Sequence, residues 1–209
     1  SGVGGSADQF QFSYRSVAGD FDLQTRVAGL TITDPFVQAG LMVRESLATN
    51  ARFAAVFSSS ARLGCSFASR STVGGSSTSA VPDGGFPANY PQTWLRLRRV
   101  GSTFSGYASL DGKSWVPLGS ATLSGLASSL YYGFAVCAQS NERLCTAQFR
   151  DPGTTAGTQV ATYVPITEPL GPSSRRTGMI FSEIMYHPAQ RTDGRNLEFV
   201  ELYNARSVF

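Results

Sequence analysis

The chain has 209 residues and a net charge of +3, and only 15 % of its residues are charged. Its basic residues are nearly all Arg, with Lys113 the single Lys, and they are spread rather than clustered, so nothing points to nucleic acid. Gly and Ser are plentiful, no apolar run reaches membrane length and no 3.6-residue apolar period persists, which leaves an all-β protein without a membrane partner as the expectation.

Residues 9–14 and 21–30 alternate apolar and polar side chains as half-buried strands do, and Gly19-Asp20 separates them as a hairpin turn would. In residues 38–45, Leu41 and Val43 share the expected core face while Met42 and Arg44 share the other. Residues 52–58 follow with Phe53, Ala55 and Phe57 in register, then residues 64–70, joined to them by a hairpin through Ser59-Ser60. Residues 71–91 are rich in Gly, Ser and Pro and too long for an ordinary hairpin loop. Long loops in compact domains are usually functional or disordered.

The stretch 93–115 holds the strongest local signal. Gly101-Ser102 suits a two-residue type II′ turn, because Gly tolerates the positive φ required at its first position. That turn sets Leu97 opposite Gly106 and Leu95 opposite Ala108, and it collects Trp94, Arg96, Arg98, Ser105, Tyr107 and Ser109 on the other face. A one-residue slip would mix the two sets. Asp111-Gly112 reads as a second hairpin turn, returning Trp115 to the position opposite Ala108. Residues 133–138 and 145–149 form the last expected hairpin, with Cys137 and Cys145 as adjacent, unbridged thiols across it. With Cys65 the cysteines number three, His187 is the only histidine, and no C-x-x-C spacing occurs, so a Cys/His zinc site is not expected.

About ten short strands separated by turns read as a two-sheet antiparallel sandwich. The pieces GDFDLQTRV, QAGLMVRES, TWLRLRR, FSGYASLDGKSW and YYGFAVCA resemble the concanavalin A-like jelly-roll modules found in large secreted bacterial proteins. The resemblance covers residues 6–152 and implies two curved sheets, with a concave face that lectin and glucanase relatives use for sugars. The first domain is therefore expected over residues 1–152. Residues 153–176 are rich in Pro and Gly and lose strand periodicity apart from 160–164, as a linker does. Beyond them, residues 177–209 resemble the start of a lamin-tail domain, an immunoglobulin-like sandwich, through SEIMY and EFVELYN. Such a segment is too short to bury a core alone, which takes about 40 residues or more, so an incomplete domain with strands at 179–186 and 197–203 is expected. The Gly-rich lead carries no signal peptide, and the chain reads as a piece of a longer, multidomain protein that is secreted or at the cell surface.

Glucanases on this fold use carboxylates one or two positions apart on one strand. No such triplet occurs here: Asp20 and Asp22 lack a third acid, and Glu198 and Glu201 fall on opposite faces of one strand. His187, which a Ser/His/Asp arrangement would need, sits beside Pro188 as a turn residue. An enzyme is not expected. No cofactor is implied either; Asp34 and Asp83 are loop acids outside any ligand-dense run, so a structural calcium stays open only through backbone carbonyls. The remaining constellation is the non-core face of the central strands, where Arg44, Arg70, Trp94, Arg96 and Tyr107 are the candidate ligand-binding residues. Aromatic planes beside Arg forks suit sugar rings and hydroxyls, or acidic saccharides. Alternatively, Arg96 stacks on Tyr107 as a cation–π pair and binds nothing. The expected function is a non-catalytic carbohydrate-binding-like module whose partner is a polysaccharide or glycan. The alternative is a structural or adhesive spacer whose partners are other domains of the same protein.

Overall fold

The computed structural model describes residues 2–154, 179–185 and 199–204. Residues 155–176 of the expected linker, including the strand at 160–164, lie outside the described residues, as do His187, Pro188 and Glu198. The chain divides into two compact units, Ser1–Tyr163 and Val164–Phe209.

The first unit is built of strands β1 (Gln11–Ala18), β2 (Phe21–Leu30), β3 (Gln38–Arg44), β4 (Phe53–Ser58), β5 (Cys65–Arg70), β6 (Thr78–Ala80), β7 (Thr93–Val100), β8 (Thr103–Ser109), β9 (Val116–Thr122), β10 (Ser129–Cys137) and β11 (Ala147–Thr154). They form a six-stranded sheet in the order β1-β10-β3-β4-β5-β6 and a five-stranded sheet in the order β11-β2-β7-β8-β9, every pairing antiparallel. This is the two-sheet antiparallel sandwich that the strand pattern predicts and the all-β jelly roll that the family resemblance implies. The second unit contributes β12 (Met179–Met185) and β13 (Phe199–Asn204), an antiparallel pair at the two stretches expected to be strands.

Two apolar clusters explain why the six-stranded sheet holds. Leu41, Val43, Ala54, Val56 and Phe67 pack across the sandwich on Leu23, Val27, Leu95, Leu97 and Phe104. On the outer face of the same sheet, Met42, Phe53, Ala55, Phe57, Ala68 and Ala135 form a second cluster closed by Val3 from the Gly-rich lead. Both alternating sets of these strands are thus buried, which is why Phe53, Ala55 and Phe57 share a face without belonging to the inter-sheet core.

The β7–β8 hairpin has the predicted register, with Leu97 opposite Gly106, Leu95 opposite Ala108 and Arg96 opposite Tyr107. Gly101 supplies the positive φ, at 59°. The next turn departs from expectation by one residue: Ala108 faces Val116, and Trp115 falls on the outer side with Arg96 and Tyr107. The Asp111 side chain causes the shift, since its Oδ1 accepts hydrogen bonds from the backbone N–H groups of Lys113 and Ser114 and enlarges the loop beyond a two-residue turn.

Two expected hairpins turn out to be crossovers. Gly19-Asp20 carries the chain from β1 in one sheet to β2 in the other, and the stretch between Cys137 and Cys145 likewise leads from β10 to β11 across the sandwich. Cys65, Cys137 and Cys145 are all free, and the Cys137 and Cys145 thiols donate to different carbonyls, those of Gln9 and Thr31. The long 71–91 stretch contains the short edge strand β6, and β11 runs through Pro152 to Thr154, past the expected boundary at 152.

Candidate functional site

The five residues picked out as a ligand face do not form one. Arg44 on β3 and Arg70 on β5 leave the outer face of the six-stranded sheet, whereas Trp94, Arg96 and Tyr107 leave the outer face of the five-stranded one. The inter-sheet core lies between the two sets. Period-two alternation separates core from non-core positions, but two sheets have two non-core faces.

Arg44 and Arg70 are buried and engaged. Asp8, itself buried, accepts from Arg44 Nη1 at 2.6 Å through Oδ2, and from Arg70 Nη1 at 2.8 Å and Nη2 at 2.6 Å through Oδ2 and Oδ1. Arg44 further donates to the carbonyls of Ser46 and Ala48, and Arg70 to those of Gly5, Ala51 and Gly75. Both guanidinium groups lie against the Phe53 ring, 5.8 and 5.0 Å from its centroid. These two arginines tie the N-terminal lead and two loops to the sheet. They are a structural clamp rather than free donors.

Arg96 is held in a comparable way on the opposite side. It donates bidentately to Asp22, Nε to Oδ1 at 2.7 Å and Nη2 to Oδ2 at 2.6 Å. Its Cζ lies 5.1 Å from the Tyr107 ring centroid and 5.6 Å from that of Trp115. With Arg96 4 % and Trp115 0 % exposed, the guanidinium is stacked against buried rings, the cation–π contact with Tyr107 among them. Trp94 carries the Arg26 guanidinium at 5.8 Å, with Gly112 close against its indole.

An open groove of about 400 Å³ lies instead along the outer side of β1 and the residues leading into it. Phe10, Phe12 and Tyr14 line it at alternate positions, with Leu47 from the 45–52 loop, and buried Asp8 and Arg44 beneath. The ring centroids are 5.7 Å apart for Phe10 and Phe12 and 5.3 Å apart for Phe12 and Tyr14, the latter pair only 24° from parallel. Tyr131 from β10 supports Tyr14 edge-on at 5.4 Å. Arg44 sits 5.2 Å from the Phe10 centroid, so one clamp residue also fixes the first ring of the row. Tyr14 is 47 % exposed, and Gln9, Gln11 and Thr49 place polar groups at the margin. Such a surface offers ring faces for apolar contact and amide and hydroxyl groups for hydrogen bonds.

Residues 3–156 match the family model described as a protein of unknown function, DUF1349. The chain belongs to the DUF1349 family. No curated protein matches it. Among solved structures, a functionally unknown protein from Saccharomyces cerevisiae is similar to this DUF1349 chain at 22 % identity and a TM-score of 0.53, over 74 % of this chain and 77 % of that one. A GH43 protein from Bacillus licheniformis is similar at 13 % identity and a TM-score of 0.50, over 62 % of this chain and only 26 % of its own. The carbohydrate binding module CBM66 from Bacillus subtilis aligns at 21 % identity with a TM-score of 0.45, over 70 % of this chain and 81 % of that one. These likenesses concern the fold.

In this DUF1349 domain Asp20, Asp22 and Asp34, three of the carboxylates weighed from the sequence, are engaged by neighbours. Asp22 holds Arg96, Asp20 accepts the Gly101 N–H at 2.8 Å and Asp34 accepts the Phe36 N–H at 2.7 Å. Among the described residues no three His, Cys, Asp or Glu side chains converge as a metal would need. The groove residues absent from the sequence reading are Asp8, Phe10, Phe12 and Tyr14. The alternating aromatics of QFQFSY were a visible signal, but the same pattern also marks a buried strand face.

Proposed function

We propose that this domain is a non-catalytic carbohydrate-binding module of a secreted or cell-surface multidomain protein, and that the groove along β1 is its binding face. The observation that carries the reading is the row Phe10, Phe12 and Tyr14, standing open beside polar margins over a floor held rigid by the Asp8–Arg44 pair. Sugar rings present apolar C–H faces and a rim of hydroxyls, and a rigid aromatic row with amides at its edge complements both. The engagement of Asp22 by Arg96 and of Asp20 by the Gly101 N–H supports binding over hydrolysis at that pair, since paired acids with free oxygens are what glycoside hydrolysis uses. A glycan array probed with the whole chain tests this, followed by titration of the best glycan into wild type and Tyr14→Ala. The exposed ring should contribute about tenfold in affinity, with little change in melting. An array without binding, or equal affinities, would remove the groove from consideration.

A second reading has its own support. Arg44, Arg70 and Arg96, the charged groups that suggested a ligand, all serve internal contacts. A domain so stiffened suits a spacer whose partners are other domains, and silence on the array together with self-association in solution would favour it.

A further inference from the structure

Strand β1 borders a second hollow. Where β1 and β11, the edge strands of the two sheets, flank the open side of the sandwich, a cleft of about 380 Å³ lies between Arg15, Tyr132 and Phe134 on one wall and Leu23 and residues 152–154 on the other. Its floor is apolar because Leu23 and Tyr132 belong to the inter-sheet core and Phe134 packs against it. The second wall follows a bulge: the register of β11 on β2 shifts between Arg150 and Gly153, and Asp151 there takes a φ of 51°.

Exposure distinguishes this cleft from the groove. In the groove Arg44 is buried and shares Asp8 with Arg70, whereas Arg15 is exposed, lies 5.5 Å from the Tyr132 ring centroid, and has no carboxylate partner among the described residues. Asp151, the acid beside the Pro152 wall, is instead paired with Arg26 at 2.7 Å. The cleft thus combines an apolar and aromatic floor with one uncompensated guanidinium at its mouth. A sugar ring bearing a carboxylate matches that combination, its C–H face on the half-buried Phe134 and its carboxylate on Arg15. Tyr14 lines both hollows, so only the edge strand separates them.

Resting on the carbohydrate reading, we propose that the cleft is an anionic subsite, and that the ligand class is an oligosaccharide containing uronate whose neighbouring rings occupy the groove. The test titrates the full chain with oligomers of galacturonate, glucuronate and mannuronate, each beside its carboxyl-reduced, neutral counterpart. At least one uronate should bind about tenfold or more tightly than its neutral counterpart, and Arg15→Gln should abolish that preference. Arg15 is exposed on an edge strand, and a melting curve confirms that the variant is folded. Equal binding of the acidic and neutral oligomers, or a preference that survives Arg15→Gln, overturns the subsite and leaves the groove reading standing. If no oligosaccharide binds, acidic or neutral, both fall together. A preference for simple aromatic acids over every uronate would also overturn it, by showing the carboxylate to be read without a sugar.

Discussion

Asp8 is the residue on which most of the outer face of the six-stranded sheet depends. Its two oxygens accept from two buried arginines, and its removal leaves both charges without a counter-ion in a place where water does not reach them. Breaking a buried pair in this way costs about 3–5 kcal/mol. We therefore expect Asp8→Ala to lower the urea midpoint by a large part of the domain's stability, and to expose the N-terminal lead to proteolysis; a loss under about 1 kcal/mol would show that water or another group compensates. Asp111 acts more locally. Burial opposes its charge, but the backbone N–H groups of Ser114 and Lys113 and the hydroxyls of Ser109 and Ser114 outweigh it and hold the carboxyl well below the usual carboxylate range. A carboxyl depressed in the folded state contributes stability above its unfolded value, about pH 4, and that contribution fades as pH falls below it. Melting temperatures of wild type and Asp111→Ala should therefore differ at pH 7, and the gap should narrow steadily as pH falls below about 4, closing only when the folded-state carboxyl itself takes up its proton. A gap independent of pH would mean that the loop is held by its backbone alone.

At the scale of the strand, Gly133 lets β10 approach its neighbour β1 closely. A Cβ there would stand 1.9 Å from the Ser13 carbonyl oxygen and 2.7 Å from Tyr14 Cα, so Gly133→Ala must push β1 away from the sheet. Since β1 carries the aromatic row and separates the groove from the cleft, the displacement reaches both. Stability should fall by about 3 kcal/mol or more, the upper end for overpacking. Gly153 on β11 is the control, because its Cβ would meet nothing within 4 Å and its φ lies outside the left-handed region. There the change to Ala restricts only the unfolded chain and should be neutral or stabilising by about 0.4–1 kcal/mol. Urea melts of the two variants settle the comparison. Equal effects would mean that the β1–β10 spacing relaxes freely.

Across the whole molecule, stability is expected to be uneven. The first unit buries both faces of its larger sheet, whereas β12 and β13 form a sheet of two strands in which Ile184, Val200 and Leu202 are each more than half exposed. A two-stranded ribbon with so little burial opens readily. Amides of Met179–Met185 and Phe199–Asn204 should exchange with deuterium well before those of Leu95 and Leu97. Protection equal to that of β7 would show that the second unit has its own buried core.

How much could be read beforehand follows the distance over which each decision is made. The β7–β8 register was legible because a Gly suited to positive φ and two alternating strands settle it within a dozen residues, and nothing remote competes. The strand positions were legible for the same reason, as was the all-β class. Sheet membership was not: whether Gly19-Asp20 closes a hairpin or crosses the sandwich is decided by which partner strand, far along the chain, offers the better apolar face. The arginines show the same limit at the scale of a side chain. Alternation places Arg44, Arg70 and Arg96 off the core face, but their occupants there are Asp8, at separations of 36 and 62 residues, and Asp22, at 74. The sequence by itself thus determined local geometry and which positions leave the core; only the tertiary structure decided what those positions meet, because a buried guanidinium takes whichever carboxylate the folded chain brings to it.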